Sequence, residues 1–136
     1  MDLPDALDFL RTNHRAVLAT RRRSGDPQLS PVLAVADEAG RVLVSTRETA
    51  MKTRNLRRDP RASLLVLPDA FFGAWVQLTG PVEIVSLPEA MDLLIDYYRR
   101  AGGEHENWDD YRAAMIGEQR CVVVLTPEQA GPTVAG

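Results

Sequence analysis

The stretch VLVSTRETAMKTRNLRRDPRASLLV, residues 42–66, decides the fold that we predict for this chain. Two apolar segments rich in β-branched residues flank a basic segment that begins after Thr49. Because proline lacks an N–H group and disfavours helix in the residue before it, Pro60 ends any helix at Asp59. With Thr49 as a side-chain cap, the pattern predicts a two-turn helix at about 50–58 between two strands.

Apolar runs closed by turn-forming residues continue on both sides of this stretch. They predict six strands: RAVLATRRR (15–23), PQLSPVLAVADE (27–38), RVLVSTR (41–47), ASLLVL (62–67), AWVQLTGPVEIVS (74–86) and CVVVLTP (121–127). Residues 27–47 are interpreted as one β-hairpin, and Gly80-Pro81 predicts a bend or bulge. Helical periodicity predicts three more helices, near 2–13, 86–103 and 107–119, with Asp2 and Asn107 as caps for the first and last.

Length and composition indicate one compact domain, residues 1–136, with a loose tail from about residue 127. The chain is 45% hydrophobic and 26% charged, and no apolar run reaches the roughly 18 residues that span a bilayer. The N-terminus lacks a basic region followed by an apolar core, so we expect a cytoplasmic protein without a membrane partner. A net charge of −3 argues against nucleic acid as a partner.

Residues that could support self-contained catalysis are few. Neither His14 nor His105 stands in a metal-binding spacing, and Cys121 is the only cysteine, so no metal site is expected. Cys121 lies in an apolar run, where a buried inert thiol is the expected state. No catalytic residue is assigned.

The basic helix is the remaining candidate site. The chain has 16 basic residues, of which Lys52 is the only lysine, and five of the 16 lie within residues 52–61. Unpaired N–H groups and the positive end of a helix dipole, together with Lys52, favour an anionic phosphate. Asn55 follows three positions later on the same predicted face, and Ser45 and Thr46 add hydroxyl groups at the end of the preceding strand. A solvated arginine and aspartate surface remains the alternative.

The order of these segments resembles a known family. The strand PQLSPV (27–32), the stretch 42–66 and the Trp-bearing strand that ends in LTGPVEIV (78–85) resemble the pyridoxamine-phosphate-oxidase-like split-barrel superfamily. The later segment YYRRAGGEHENWDDYRAAMIGEQRCVVVL (97–125) is similar to one branch, the actinobacterial oxidoreductases of the FDOR-B type, which use the deazaflavin coenzyme F420. The resemblance spans roughly residues 5–126.

This resemblance implies a mainly β (α+β) fold, a six-stranded antiparallel split β-barrel of the FMN-binding type with peripheral helices. It also implies a homodimer with two cofactor sites at the interface. Carried over by position, the implied phosphate and ribityl contacts are Ser45, Thr46, Lys52 and Asn55. The strand beside the cofactor ring contributes Gln28, Ser30 and Pro31.

Two further groups of residues follow from the resemblance. Arg54, Arg57 and Arg58 are expected to attract the anionic oligoglutamate tail of F420, with solvated arginines as the open alternative. Phe71, Phe72 and Trp75 are expected to cover the ring from the partner subunit, with core or interface packing as the alternative.

The sequence also departs from the pyridoxamine phosphate oxidases. Those proteins place Ser and Arg before the helix lysine, whereas this chain has Ala50 and Met51. We therefore expect weak binding of FMN and predict an F420-dependent oxidoreductase that transfers hydride to a small unsaturated or quinone-like substrate. The alternatives are an FMN-binding oxidoreductase or oxidase of the same fold, and a non-catalytic F420-binding or storage protein.

Overall fold

The computed structural model describes residues 1–132, which form four helices and eight strands. The helices are α1 (Leu3–Thr12), α2 (Met51–Arg58), α3 (Met91–Gly102) and α4 (Trp108–Gly117). The strands are β1 (Arg15–Arg21), β2 (Pro27–Leu33), β3 (Val35–Ala36), β4 (Val42–Arg47), β5 (Arg61–Leu67), β6 (Val76–Val85), β7 (Arg120–Leu125) and β8 (Gln129–Gly131). All four predicted helices are present.

The strands form one curled antiparallel sheet with the order β2-β1-β5-β6-β7-β4-β3, and β8 pairs with β6. Strand β6 pairs with β5 up to Pro81 and with β7 from Val82 onward, so the predicted bend marks its change of neighbour. In the described part of the chain no ladder joins β2 to β4, and we call the space between these two strands the split. This α+β split barrel confirms the predicted fold class.

Three details of the sequence prediction are wrong. The strand predicted at 27–38 is interrupted at Ala34. The N–H of Ala34 donates to the carbonyl of His14, the residue before β1. Its first part, β2, pairs with β1, so only β3 and β4 form the expected hairpin. The tail predicted from residue 127 includes β8, which pairs with 77–79. Together with the division of 27–38 into β2 and β3, it raises the strand count from six to eight. The tail residues 133–136 lie outside the described residues.

Side-chain alternation along the strands creates two cores. The interior of the barrel is filled by one set of apolar residues, and α1 packs over one end of it through Leu7 and Leu10. The opposite face of β4 and β7 packs against α3 and α4, where Leu43 and Val122 meet Leu94 and Tyr111. Helices α3 and α4 therefore form a cap over the outer side of these two strands.

Close backbone packing explains the glycine in β6. A Cβ atom at Gly80 would lie 2.0 Å from the carbonyl oxygen of Thr126, far inside van der Waals contact. The N–H of Thr126 donates to the carbonyl of Pro81, which holds the two segments at this distance. No helix within residues 1–132 is long and apolar enough to cross a membrane.

Candidate functional site

Helix α2 faces the barrel with one side and solvent with the other. Thr53, Asn55 and Leu56 are buried, whereas Arg54 and Arg58 are exposed and Lys52 is half-buried. The helix ends at Asp59 as Pro60 predicts, but Thr49 is not its cap. The N-cap is Ala50, and within residues 1–132 no side chain caps the amino end. Its first N–H groups are therefore available to another acceptor.

Asn55 is used by the interior of the protein. Its side-chain nitrogen donates to the hydroxyl of Thr20 at 3.1 Å, and that hydroxyl donates to the side-chain oxygen of Gln28 at 3.2 Å. Arg58 donates to the side-chain oxygen of Asn55 at 3.4 Å. The structure therefore does not support the expectation that Asn55 and Lys52 present their side chains to one ligand.

The hydroxyl residues of β4 point in opposite directions, as neighbours in a strand must. Thr46 is 2% exposed, and its side-chain oxygen lies 3.4 Å from the hydroxyl oxygen of Thr53 in α2. The Thr53 hydroxyl also donates to the carbonyl of Arg47 at 2.7 Å. Ser45 is half-buried on the other face, under the helical cap. Thr46 thus positions α2 against β4, and Ser45 is the strand-end hydroxyl residue that a ligand under the cap would meet.

Lys52 lies in a positive environment. Burial and, to a smaller degree, the charge of Arg120 lower the pKa of the Lys52 amine, because both disfavour its protonated form. Arg120 itself donates to a carboxylate oxygen of Glu118 at 3.0 and 3.1 Å. An anion bound beside Lys52 would offset the cost of holding this amine charged.

A basic groove lies on the exposed side of α2. The loop between β1 and β2 forms its other wall, and the groove has a volume of about 460 Å³. Its lining residues are Arg22, Arg23, Ser24, Met51, Arg54, Asn55 and Arg58. Arg54 and Arg58 are among the predicted contacts of the oligoglutamate tail, whereas Arg22 and Arg23 are not. The run of three arginines at 21–23 was the available signal.

The predicted ring-contacting residues of β2 divide between its two faces. Gln28 and Ser30 face the barrel interior, because they pair with the buried residues Thr20 and Leu18 of β1. Pro31 lies on the outer face and is exposed. The hydroxyl oxygen of Ser30 is shielded from solvent and has no hydrogen-bond partner among the residues that the structure describes. A buried polar group in this state favours a ligand that supplies the missing bond.

The aromatic residues expected from the partner subunit occupy the outer face of the sheet. Phe71, Phe72 and Trp75 line an apolar groove with Leu65 and Leu67, separate from the basic groove. Phe71 and Phe72 are 60% and 83% exposed, and their rings make an edge-to-face contact. Within one chain, Trp75 is therefore not part of the site around α2. Strand β2 adds exposed Leu29 and Leu33 to the same outer face.

A pocket that the sequence analysis did not identify lies under the helical cap. We call it the cap pocket, and its volume is about 540 Å³. It is lined by Ser45, Tyr97, Tyr98, His105, Asp110, Tyr111, Ala114, Met115, Glu118 and Arg120. Part of it comes from the segment EHENWDDYR (104–112), which lies within one of the segments that carry the family resemblance.

Tyr97 connects the cap to both sides of the split. Its hydroxyl donates to the carbonyl of Leu33 in β2 at 2.9 Å, and the backbone of Ser45 in β4 also hydrogen-bonds to it. Burial raises the pKa of Tyr97, although the Ser45 bond and the charge of Arg120 act in the opposite direction. The phenol thus stays protonated at neutral pH and bridges the two strands that carry Ser30 and Ser45.

Comparison with known proteins agrees with this architecture. The family model described as pyridoxamine 5'-phosphate oxidase matches residues 3–133, which is nearly the whole chain. The chain belongs to the pyridoxamine 5'-phosphate oxidase family. This finding confirms the resemblance on which the sequence analysis relied.

Solved structures with this fold include three informative neighbours. The conserved hypothetical protein Rv2991 from Mycobacterium tuberculosis is 23% identical with a TM-score of 0.77, and the match covers 100% of this chain and 93% of that one. A protein described as an F420 reductase is 21% identical with a TM-score of 0.71, covering 91% and 94%. A heme binding protein from Mycobacterium smegmatis is 23% identical with a TM-score of 0.64, covering 92% and 52%. At these identities the likeness establishes the fold alone.

The residues present fit a flavin-type cofactor of this family. Among residues 1–132 the hydroxyl of Ser30 has no hydrogen-bond partner and can bond a ring edge, and no side chain caps the end of α2 at which Lys52 offers charge to a phosphate. Asn55 and Thr46 contribute indirectly, because their hydrogen bonds hold α2 against β1 and β4.

Proposed function

We propose that this chain is an oxidoreductase that binds coenzyme F420 and reduces a small unsaturated or quinone-like substrate. The observation that carries the proposal is that one short helix joins two features: Lys52 lies at its amino end, which no described residue caps with a side chain, and arginines line the groove along its exposed side. When bound, the reduced deazaflavin supplies a hydride, and a proton from solvent completes the reduction of a C=C or C=O bond.

In this proposal each part of the site has one task. Lys52 and the first N–H groups of α2 hold the phosphate, where a charge-assisted hydrogen bond is strongest. The guanidinium groups of Arg22, Arg23 and Arg54 hold the carboxylates of the oligoglutamate tail. Ser30 contacts the ring, and Ser45 contacts the chain that links ring and phosphate.

The basic groove favours F420 over FMN. FMN ends at its phosphate and would leave the groove without an anion, whereas the acidic tail of F420 complements the arginines that line the groove. The residues before Lys52 give the same preference, because Ala50 and Met51 carry no group that binds phosphate. FMN remains the second candidate, since Lys52 and the family serve it equally well. Non-catalytic storage of F420 is the third.

We further propose that two copies of the chain associate through the outer face of the sheet. Leu29, Leu33, Phe71 and Phe72 are between 49% and 83% exposed on this face, and exposed apolar patches of this kind mark association sites. In the dimer, Trp75 and its phenylalanine neighbours would cover the cofactor ring of the partner subunit. We include a cytoplasmic location, because a single buried cysteine requires no oxidising compartment.

Titration of the purified protein with oxidised F420, followed by its fluorescence, tests the coenzyme assignment. We expect saturable quenching at micromolar coenzyme and weaker binding of FMN under the same conditions. Retention of yellow FMN after purification, with no response to F420, would favour the second candidate. Tight F420 binding without turnover across varied acceptors would favour storage.

A further inference from the structure

The cap pocket is larger than the basic groove and is unused by the coenzyme proposal except at Ser45. Residues of α3, α4 and the loop between them form its outer wall, and the ends of β4 and β7 form its floor. The substrate of the proposed reaction has no other assigned place in the chain.

The outer wall is aromatic and preformed. The rings of Tyr98, His105 and Tyr111 line the pocket. They contact one another and the ring of Trp108 with centroid distances of 5.0 to 5.7 Å. The hydroxyl of Tyr111 donates to the carbonyl of Leu94 at 2.8 Å, and burial raises its pKa to about 12. These contacts fix the rings of an aromatic wall, and such a wall suits a planar ligand.

The polar groups of the pocket are few and fixed. The N–H of Asn107 donates to Nδ1 of His105 at 2.9 Å, so the neutral ring carries its hydrogen on Nε2. The salt bridge with Glu118 holds Arg120 in place. The pocket contains the positive charge of Arg120 and the negative charges of Glu118 and Asp110, and Lys52 nearby adds a second positive charge. Because these charges nearly cancel, the pocket suits a neutral ligand that carries hydrogen-bond acceptors.

The pocket adjoins the proposed coenzyme site. Ser45 belongs to both, and Arg120 in the pocket lowers the pKa of Lys52 at the amino end of α2. Tyr97 lines the pocket while its hydroxyl bridges β2 and β4 across the split. A molecule in the cap pocket would therefore lie beside the strands that we assign to the cofactor ring.

We propose that the cap pocket binds the hydride acceptor, a small planar conjugated carbonyl compound such as a quinone or an enone. Aromatic faces hold its plane, and N–H groups of His105 and Arg120 hold its oxygen. Its reaction rests on the proposed function: one hydride from the reduced coenzyme and one proton from solvent convert the C=C bond of an enone into CH–CH, or a quinone into its hydroquinone. Its binding does not rest on the coenzyme and is tested alone.

The test uses two neighbouring alanines of α4. Ala113 and Ala114 are both exposed, but only Ala114 lines the pocket. Ala114→Phe fills the pocket, Ala113→Phe is the matched control, and Ala114→Leu is a milder variant should the first not fold. In a Trp75→Phe background, quenching of Trp108 fluorescence by 1,4-naphthoquinone reports occupancy.

We expect saturable quenching in the parent protein, an affinity at least tenfold weaker in Ala114→Phe, and no change in Ala113→Phe. In turnover with reduced F420, Ala114→Phe should raise KM for the quinone at an unchanged F420 affinity. Equal quinone affinity in both variants would overturn the inference, as would equal loss of F420 binding in Ala114→Phe. Quinone binding without any F420 binding would instead refute the proposed function and leave the pocket assignment standing.

Discussion

The side-chain nitrogen of Asn55 lies 3.1 Å from the hydroxyl oxygen of Thr20, a hydrogen bond that joins helix α2 to the inner face of β1. Both residues are 2% exposed. Asn55→Ala removes this donor and leaves the buried Thr20 hydroxyl without it, so we expect a loss of about 1 to 3 kcal/mol in the free energy of unfolding. Urea denaturation measures it.

Arg54→Ala on the exposed side of the same helix is the control and should stay within about 0.5 kcal/mol of the parent. A double-mutant cycle with Thr20→Val isolates the bond itself. Strictly additive effects in the cycle would contradict the coupling that the geometry indicates.

Lys52→Ala should weaken F420 binding while the fold stays intact. The lost charge-assisted hydrogen bond corresponds to about 1.5 to 3 kcal/mol, or roughly 10- to 100-fold in Kd. Fluorescence titration measures the change. Arg112→Ala removes the same charge from the exposed surface of α4 and should leave Kd unaltered. An unchanged Kd for F420 in Lys52→Ala would contradict the proposed phosphate contact and favour the alternative, a solvated surface lysine.

Gly80→Ala should destabilise the protein strongly. The added Cβ meets the Thr126 carbonyl at 2.0 Å, and overpacking of this kind costs about 1 to 3 kcal/mol or more. Gly117→Ala is the matched control, because within the described chain nothing lies within 4 Å of the added atom. Thermal unfolding should show a lower Tm for the first variant alone.

Because of Glu48, the free energy of unfolding should decrease as the pH becomes acidic. Burial raises the pKa of this carboxyl, but hydrogen bonds from Ser86 and Arg57 outweigh burial and bring the pKa below 4.5. The folded pKa thus lies below the unfolded one. The contribution of the Glu48 carboxylate to the free energy of unfolding is therefore fully present above the pKa of the unfolded state. It is lost as pH falls through the pKa of the folded state.

Glu48→Gln removes this contribution. Its deficit in unfolding free energy should be largest near pH 7 and should narrow as urea titrations are repeated toward pH 3. The exposed Glu83→Gln serves as control and should follow the parent at every pH. A deficit independent of pH would show that the carboxylate charge is not the cause.

Leu29→Arg should dissociate the proposed dimer. Leu29 is 62% exposed on the outer face of the sheet, and Ile116 is 61% exposed on α4, so the two positions are matched in accessibility. Burying an unpaired guanidinium in an apolar interface is costly, whereas the same change at Ile116 meets only water. Sedimentation velocity should give a monomer for the first variant only. A monomeric parent protein would contradict the proposal.

Much of the fold was predictable because its signals are local. Proline at position 60 ends α2 whatever surrounds it, and the side chain of Asn107 caps α4 through the N–H of Asp110. The interruption at Ala34 was not predictable, since it depends on β2 pairing with β1 while β3 pairs with β4. Strand β8 was missed for a similar reason, because in the described part of the chain its only strand partner is β6.

The candidate site was predictable in part. Exposure of Arg54 follows from helical periodicity, but the inward orientation of Asn55 depends on Thr20, which lies 35 positions earlier. Alternation along β4 was a usable signal that Ser45 and Thr46 do not face the same site. The cap pocket required the packing of α3 and α4 on the sheet, a relation that no local pattern encodes.

Strand β2 ends the sheet order and contains Pro27 and Pro31. A proline nitrogen cannot donate, so a foreign strand laid along this border would find its ladder interrupted at two positions. These prolines therefore disfavour the growth of fibres by strand addition at β2, although the outer face of the sheet beside it carries exposed apolar side chains. The dimer that we propose would then form through side-chain packing and not through strand addition.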